Sequence, residues 1–100
     1  MNQISRCIRI MSALAPHVIA GLSISEIAEK TGLAAPSVYR DLDALAAEGW
    51  AGKLESGRWS LTTKPISLAT ACELSLRTAQ ERQDNFKRNT RAGAFRLLEG

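Results

Sequence analysis

One stretch constrains the fold more than any other, because it holds two short helical segments with a turn between them: LSISEIAEKTGLAAPSVYRDLDALAAEG. Ser23 followed by Glu26 three residues later is a capping box, which predicts that a helix begins there. Gly32 suits the left-handed position that ends many helices. Pro36 is tolerated in a first helical turn, and Gly49 predicts the end of the second segment. The break sets two helices at an angle, which burial alone does not require.

Apolar spacing predicts which faces of the helices are buried. Residues 4–14 carry apolar side chains at helical intervals, and Pro16 ends or kinks that helix. Val38, Leu42 and Leu45 recur at i, i+4 and i+7, so the later helix buries one face.

The period changes after Gly49. The runs WAGKLES and GRWSLTT have β character, and Trp59 and Leu61 alternate with polar residues. A small hairpin is predicted, with its tip at Ser56-Gly57. The order helix, helix, turn, helix, hairpin is that of a winged helix-turn-helix. We therefore expect a mainly α fold with a small β-hairpin over residues 1–65, followed by a C-terminal helical extension.

The extension covers residues 66–100. Residues 66–88 contain neither glycine nor proline, which predicts one long helix to about residue 88. Residues 89–100 are then either a short final helix broken near Gly93 or a loose tail.

The long helix carries an apolar stripe that predicts a homodimer through Ile66–Ala79. The stripe packs either on a second chain or on its own domain, and the sequence leaves both open. Four basic residues nearby are either a DNA arm or a solvated face. The stripe consists of Ile66, Ala69, Cys72, Leu76 and Ala79, and the basic residues are Lys87, Arg88, Arg91 and Arg96.

Composition bounds the function. The net charge of +3 is consistent with a polyanionic partner. Cys7 and Cys72 lie far apart, so we expect reduced thiols that act as small hydrophobes. Arginines interrupt the N-terminal apolar run, and no stretch reaches transmembrane length, so a cytoplasmic protein without membrane contact is expected. No metal-ligand spacing, glycine-rich phosphate loop or nucleophile–base pair is present, so neither a metal, a cofactor nor an enzyme is predicted.

Residues 22–62 resemble the N-terminal DNA-binding domain of IclR-type bacterial regulators. The features that match are SEIAEKTGL, the helix SVYRDLDALAAEGW and the strand GRWSLT. The resemblance covers roughly the first 70 residues. Regulators of that type carry a large ligand-binding domain after the wing, and this sequence has only the helical extension there. A small-molecule effector is therefore not expected, and the compact form resembles a phage, plasmid or mobile-element regulator or a truncated protein.

The resemblance implies a mode of binding to double-stranded DNA. A recognition helix over about residues 35–47 enters the major groove, and a wing over about residues 51–63 lies on the backbone or minor groove. Arg40 is the fork donor suited to guanine, while Ser37 and Tyr39 suit phosphates. From the wing, Lys53 and Arg58 suit phosphates.

Blander interpretations stay open for the same residues. Arg40 can be a solvated residue paired with Asp43, Tyr39 can cap the edge of the core, and Lys53 and Arg58 can serve solubility. The whole domain can also be a protein–protein adaptor or a nucleoprotein subunit without sequence preference. Our leading hypothesis is a homodimeric transcriptional regulator that binds DNA sequence-specifically.

Overall fold

The computed structural model describes residues 1–99 and confirms a mainly α fold with one two-stranded hairpin. The chain divides into two units, Met1–Ser67 and a second that begins at Leu68. A short 3-10 turn at Ala15–His17 follows the first helix. The other elements are α1 (Gln3–Leu14), α2 (Ile24–Thr31), α3 (Ala35–Ala47), β1 (Ala51–Lys53), β2 (Trp59–Leu61) and α4 (Thr63–Glu99).

The boundaries of α2 follow from the capping residues in the sequence. The Glu26 amide donates to Ser23 Oγ at 3.1 Å, and the Ser23 amide donates to Glu26 Oε1 at 3.2 Å. Gly32 ends the helix at φ 72°, where its N–H donates to the carbonyl of Ala28. The predicted capping box and the left-handed stop are both confirmed.

The core of the first unit lies where α1, α2, α3 and the hairpin meet. Val38 and Leu42 are fully buried on the inner face of α3, as their spacing predicts. Ile10 and Leu14 are fully buried on α1. The remaining buried hydrophobic residues are Leu22, Ile27, Leu45, Ala51 and Trp59.

The hairpin is antiparallel and turns at the predicted tip. Ala51 pairs with Leu61 and Lys53 with Trp59, while Gly57 takes φ 87° in the turn. One pairing was not predicted: Leu22 bridges Trp59, with N···O distances of 2.8 and 2.9 Å in the two directions. This bridge ties the wing to the segment before α2, which gives a short hairpin the packing it needs.

The C-terminal helix corrects one prediction. Neither a break near Gly93 nor a loose tail is present among the described residues, because α4 is continuous from Thr63 to Glu99. Gly93 lies between Ala92 and Ala94, which are strong helix formers, and one interior glycine costs only about 1 kcal/mol relative to alanine. The last predicted residue, Gly100, lies outside the described residues.

Candidate nucleic-acid interface

The outer face of α3 presents the side chains that the sequence proposed for the recognition helix. Tyr39 is 52% exposed, Arg40 is exposed and Ser37 is half-buried. Arg40 Nη2 donates to Ser37 Oγ at 3.3 Å, so these two residues are together on one side of the helix. Asp43 is exposed one turn away, but the guanidinium meets the serine hydroxyl instead. The other four donor hydrogens of Arg40 remain available for a ligand.

The N-terminus of α3 is open to an anion. Its N-cap is Ala34, which has no side-chain oxygen to accept from the first turn. Ala35 and Ser37 therefore keep backbone N–H groups without an N-cap acceptor, and Pro36 has none to satisfy. Free amides and the positive end of the helix dipole together attract phosphate.

The two wing residues behave differently. Lys53 is exposed on β1. Arg58 is held by its own domain: its Nε donates to the carbonyl of Ala20 at 3.1 Å, and its Nη2 donates to that of Gly21 at 3.1 Å. Its Nη1 also lies 2.8 Å from a carboxylate oxygen of Glu26. A phosphate contact from Arg58 stays a prediction, but these bonds give it a second task, which is to hold the wing against the start of α2.

An ion pair between α1 and α3 was not predicted from the sequence. Asp41 is 1% exposed, and Arg6 Nε donates to its Oδ2 at 2.8 Å. Gln3 Nε2 adds a longer bond of 3.4 Å to Oδ1. The sequence does carry a signal for this pair, because Asp41 stands three residues after Val38 and so falls on the buried face of α3. The pair fixes how α3 is seated on α1.

The basic residues of the first unit sort into two sets. Four of the seven are bonded within the domain: Arg6 and Arg58 as described, Arg9 to the carbonyl of Thr31, and Lys64 to the carbonyl of Glu48. Among the described residues of that unit, only Lys30, Arg40 and Lys53 show no ion pair and no bond to a backbone carbonyl. Of these three, Arg40 and Lys53 belong to the predicted interface.

Three ionisable groups have shifted pKa values, and all three shifts arise from contacts or burial within the first unit. The amide of Ser23, its hydroxyl and the Arg58 guanidinium hold the pKa of Glu26 below its ordinary value. The hydrogen bond to Asp41 raises the pKa of Arg6. Burial raises the pKa of the Cys7 thiol, which keeps that thiol protonated.

An open apolar groove of about 340 Å³ runs between α1 and the second half of α3. Ile4 and Ile8 line it and are 70% and 54% exposed. Within residues 1–99, no group of three metal-binding side chains comes together, and no helix has the length and hydropathy needed to cross a bilayer.

The match to a known family follows the same residues. The model of the IclR helix-turn-helix domain matches residues 3–55, which is just over half of the chain. This chain belongs to the IclR helix-turn-helix family. The matched range includes α1, α2, α3 and the first wing strand, so it covers the predicted recognition helix in full. An IclR helix-turn-helix is a DNA-binding domain rather than a catalytic one.

Other comparisons add little to the family match. No curated protein sequence matches this chain. Among solved structures, it is similar to an O-methyltransferase (NcsB1) from neocarzinostatin biosynthesis, in complex with S-adenosyl-L-homocysteine. That likeness has 27% identity and a TM-score of 0.48, and it covers 60% of this chain and 19% of the methyltransferase chain. This chain therefore spans less than a fifth of that protein's length, and the methyltransferase activity is that of NcsB1.

Proposed function

We propose that this IclR-family chain binds double-stranded DNA sequence-specifically as a transcriptional regulator in the cytoplasm, with no small-molecule effector. The observation that carries the proposal is the outer face of α3: Ser37, Tyr39 and Arg40 lie on it beside an uncapped helix N-terminus. An α-helix with such a face fits the major groove, where a guanidinium reads guanine O6 and N7. Arg40 is the base-reading residue in this proposal, and Ser37 and Tyr39 contact phosphates.

The wing supplies the second set of contacts, on the backbone or in the minor groove. Lys53 is the stronger phosphate ligand of the two wing residues, because its ammonium is exposed and forms no ion pair among the described residues. Arg58 contributes through the one Nη hydrogen that its internal bonds leave over, and it also positions the wing.

A homodimer through Ile66–Ala79 completes the proposal. One domain with about three available cations neutralises few phosphates. For each neutralised phosphate, the logarithm of the association constant falls by roughly 0.9 for every tenfold rise in salt concentration. A single copy should therefore show a slope of about 3 in a plot of log affinity against log salt concentration. So few phosphate contacts give only weak binding at physiological salt. A second copy doubles the contacts, and the exposed face of α4 is where we place it: Ile66 and Leu76 are 46% and 73% exposed.

The test compares two substitutions in duplex binding measured across a salt series. Arg40→Ala should cost roughly 1–3 kcal/mol and relax discrimination between sequences. Lys53→Ala should weaken binding to all sequences alike and lower the salt slope by about 1. Arg77→Ala is the matched control, because it removes one exposed arginine from α4 without touching α3 or the wing.

The outcomes separate the proposal from its rivals. If Arg40→Ala leaves both affinity and sequence preference unchanged, α3 does not read bases. If the wild-type chain ignores DNA at physiological salt, the adaptor interpretation replaces the regulator.

A further inference from the structure

The helix α4 carries a regular seam that extends well beyond Ala79. From Ala69 to Leu97, the residues at alternating steps of three and four are all uncharged. Every charged side chain in that range lies elsewhere on the helix. Steps of three and four are the heptad pattern of a coiled coil, here sustained over four heptads. The seam consists of Ala69, Cys72, Leu76, Ala79, Gln83, Phe86, Thr90, Gly93 and Leu97.

The seam is open to solvent in the single chain. Leu76, Phe86 and Leu97 are 73%, 71% and 84% exposed, and none of the described residues of α4 is buried. Most helical stability in proteins comes from packing of an apolar face. The large apolar residues of the seam are in water in the single chain, so this helix of 37 residues needs a partner surface that covers them.

We propose that the seam pairs with the seam of a second copy of this chain as an antiparallel coiled coil. The inference rests on the homodimer proposed above, and it adds the extent of the interface and the relative direction of the two helices. Two properties of the sequence favour this arrangement over a parallel pair. They are the charges beside the seam and the sizes of the residues within it.

The flanking charges disfavour a parallel, in-register pair. In a parallel pair, the residue that precedes one seam residue faces the residue that follows the next seam residue on the partner helix. Arg82 precedes Gln83 and Lys87 follows Phe86, so Arg82 of one copy faces Lys87 of the other. This like-charge contact occurs twice by symmetry. An antiparallel pair centred between residues 84 and 85 instead sets Arg82 against Asn89 and Lys87 against Gln80, so no like charges meet.

Residue sizes point the same way. A parallel pair sets Phe86 against Phe86 and Gly93 against Gly93, which crowds one layer and leaves a gap in another. The antiparallel pair with the same centre sets large residues against small ones at both ends. Its four layers, each present twice, are Cys72 with Leu97, Leu76 with Gly93, Ala79 with Thr90, and Gln83 with Phe86.

Cross-linking of the full chain tests the direction of pairing. Leu97→Cys is introduced together with Cys7→Ala, so that Cys72 and the new thiol are the only two cysteines. After mild oxidation without DNA, tryptic peptides are identified by mass spectrometry. We expect a disulfide between position 72 of one copy and position 97 of the other. Disulfides that join 72 to 72 and 97 to 97 would overturn the antiparallel assignment and leave the dimer standing.

Sedimentation equilibrium tests the seam itself. Leu76→Glu should raise the dimer dissociation constant roughly a hundredfold, because each dimer loses two buried leucines. Leu74→Glu is the matched control: Leu74 lies two residues away on the same helix, is 52% exposed and is off the seam, and it should leave the constant unchanged. Equal effects of both would refute the seam. A wild-type chain that stays monomeric would sink both this inference and the proposed homodimer, while DNA binding by α3 is scored separately in the salt series.

Discussion

The domain at residues 1–67 and the helix that continues from Leu68 treat their apolar side chains in opposite ways. In the domain, Ile10, Leu14 and Leu42 are fully buried. In the helix, Leu76 and Leu97 are 73% and 84% exposed. The domain satisfies its hydrophobic residues within one chain, whereas the helix can do so only against another surface. The domain therefore has its own hydrophobic core, and the exposure of the helix supports the proposal that it serves association.

The largest expected effect is on the core of the domain. Leu42→Ala removes a fully buried side chain between α3 and its neighbours and should lower the free energy of unfolding by roughly 2–5 kcal/mol. Leu74→Ala, on an exposed position of α4, should change it by less than about 0.5 kcal/mol. Urea denaturation of both variants measures this. Similar losses would mean that α4 belongs to the same cooperative unit as the core.

The next effect concerns the bridge that anchors the wing. Gly21 has φ 69°, and a Cβ there would lie 2.5 Å from the carbonyl oxygen of Trp59. That oxygen cannot move freely, because it accepts from the Leu22 amide at 2.9 Å. Gly21→Ala should therefore cost roughly 3 kcal/mol, whereas Gly57→Ala, with a similar φ and open space, should cost about 1 kcal/mol. Thermal unfolding compares the two, and equal shifts in Tm would show that the close approach is unimportant.

The smallest effect is the pH dependence of the capping box. The pKa of Glu26 is lower in the folded chain than its ordinary value of about 4.5. Its stabilising contribution is therefore full above that pH and is lost as the pH falls through the folded-state pKa. Glu26→Gln should be less stable than wild type at neutral pH, and the gap should close in acid. Urea midpoints at several pH values measure the gap, with Glu29→Gln on the same helix as the control for loss of one carboxylate. A gap that does not narrow as the pH falls below the ordinary value of about 4.5 would contradict the assignment.

Local signals explain why the sequence predicts the domain well. Ser23, Glu26 and Gly32 each act within a few residues along the chain, so their outcome can be predicted without tertiary information. The alternation around Trp59 and the spacing of Val38 are equally local. The family resemblance rests on these same residues, and the domain match confirms it.

Features that depend on long-range contacts were missed. The bonds of Arg58 reach 32 to 38 residues back along the chain, and the pair of Arg6 with Asp41 spans 35. No periodicity in the sequence shows which cations such contacts engage, so Arg58 resembled Lys53 as a phosphate ligand. The end of α4 differs from the prediction for a different reason: Gly93 alone favours a break, whereas the alanines on both sides of it favour a continuous helix.

Selection from a random duplex pool tests most directly whether α3 reads DNA. The purified chain is offered the pool at two salt concentrations, and the bound fraction is sequenced. If the chain is a dimeric regulator, we expect weaker binding at the higher salt concentration and enrichment of a two-fold symmetric motif. Salt-sensitive binding without enrichment would contradict sequence-specific recognition, and no binding at either salt would contradict the DNA interface altogether.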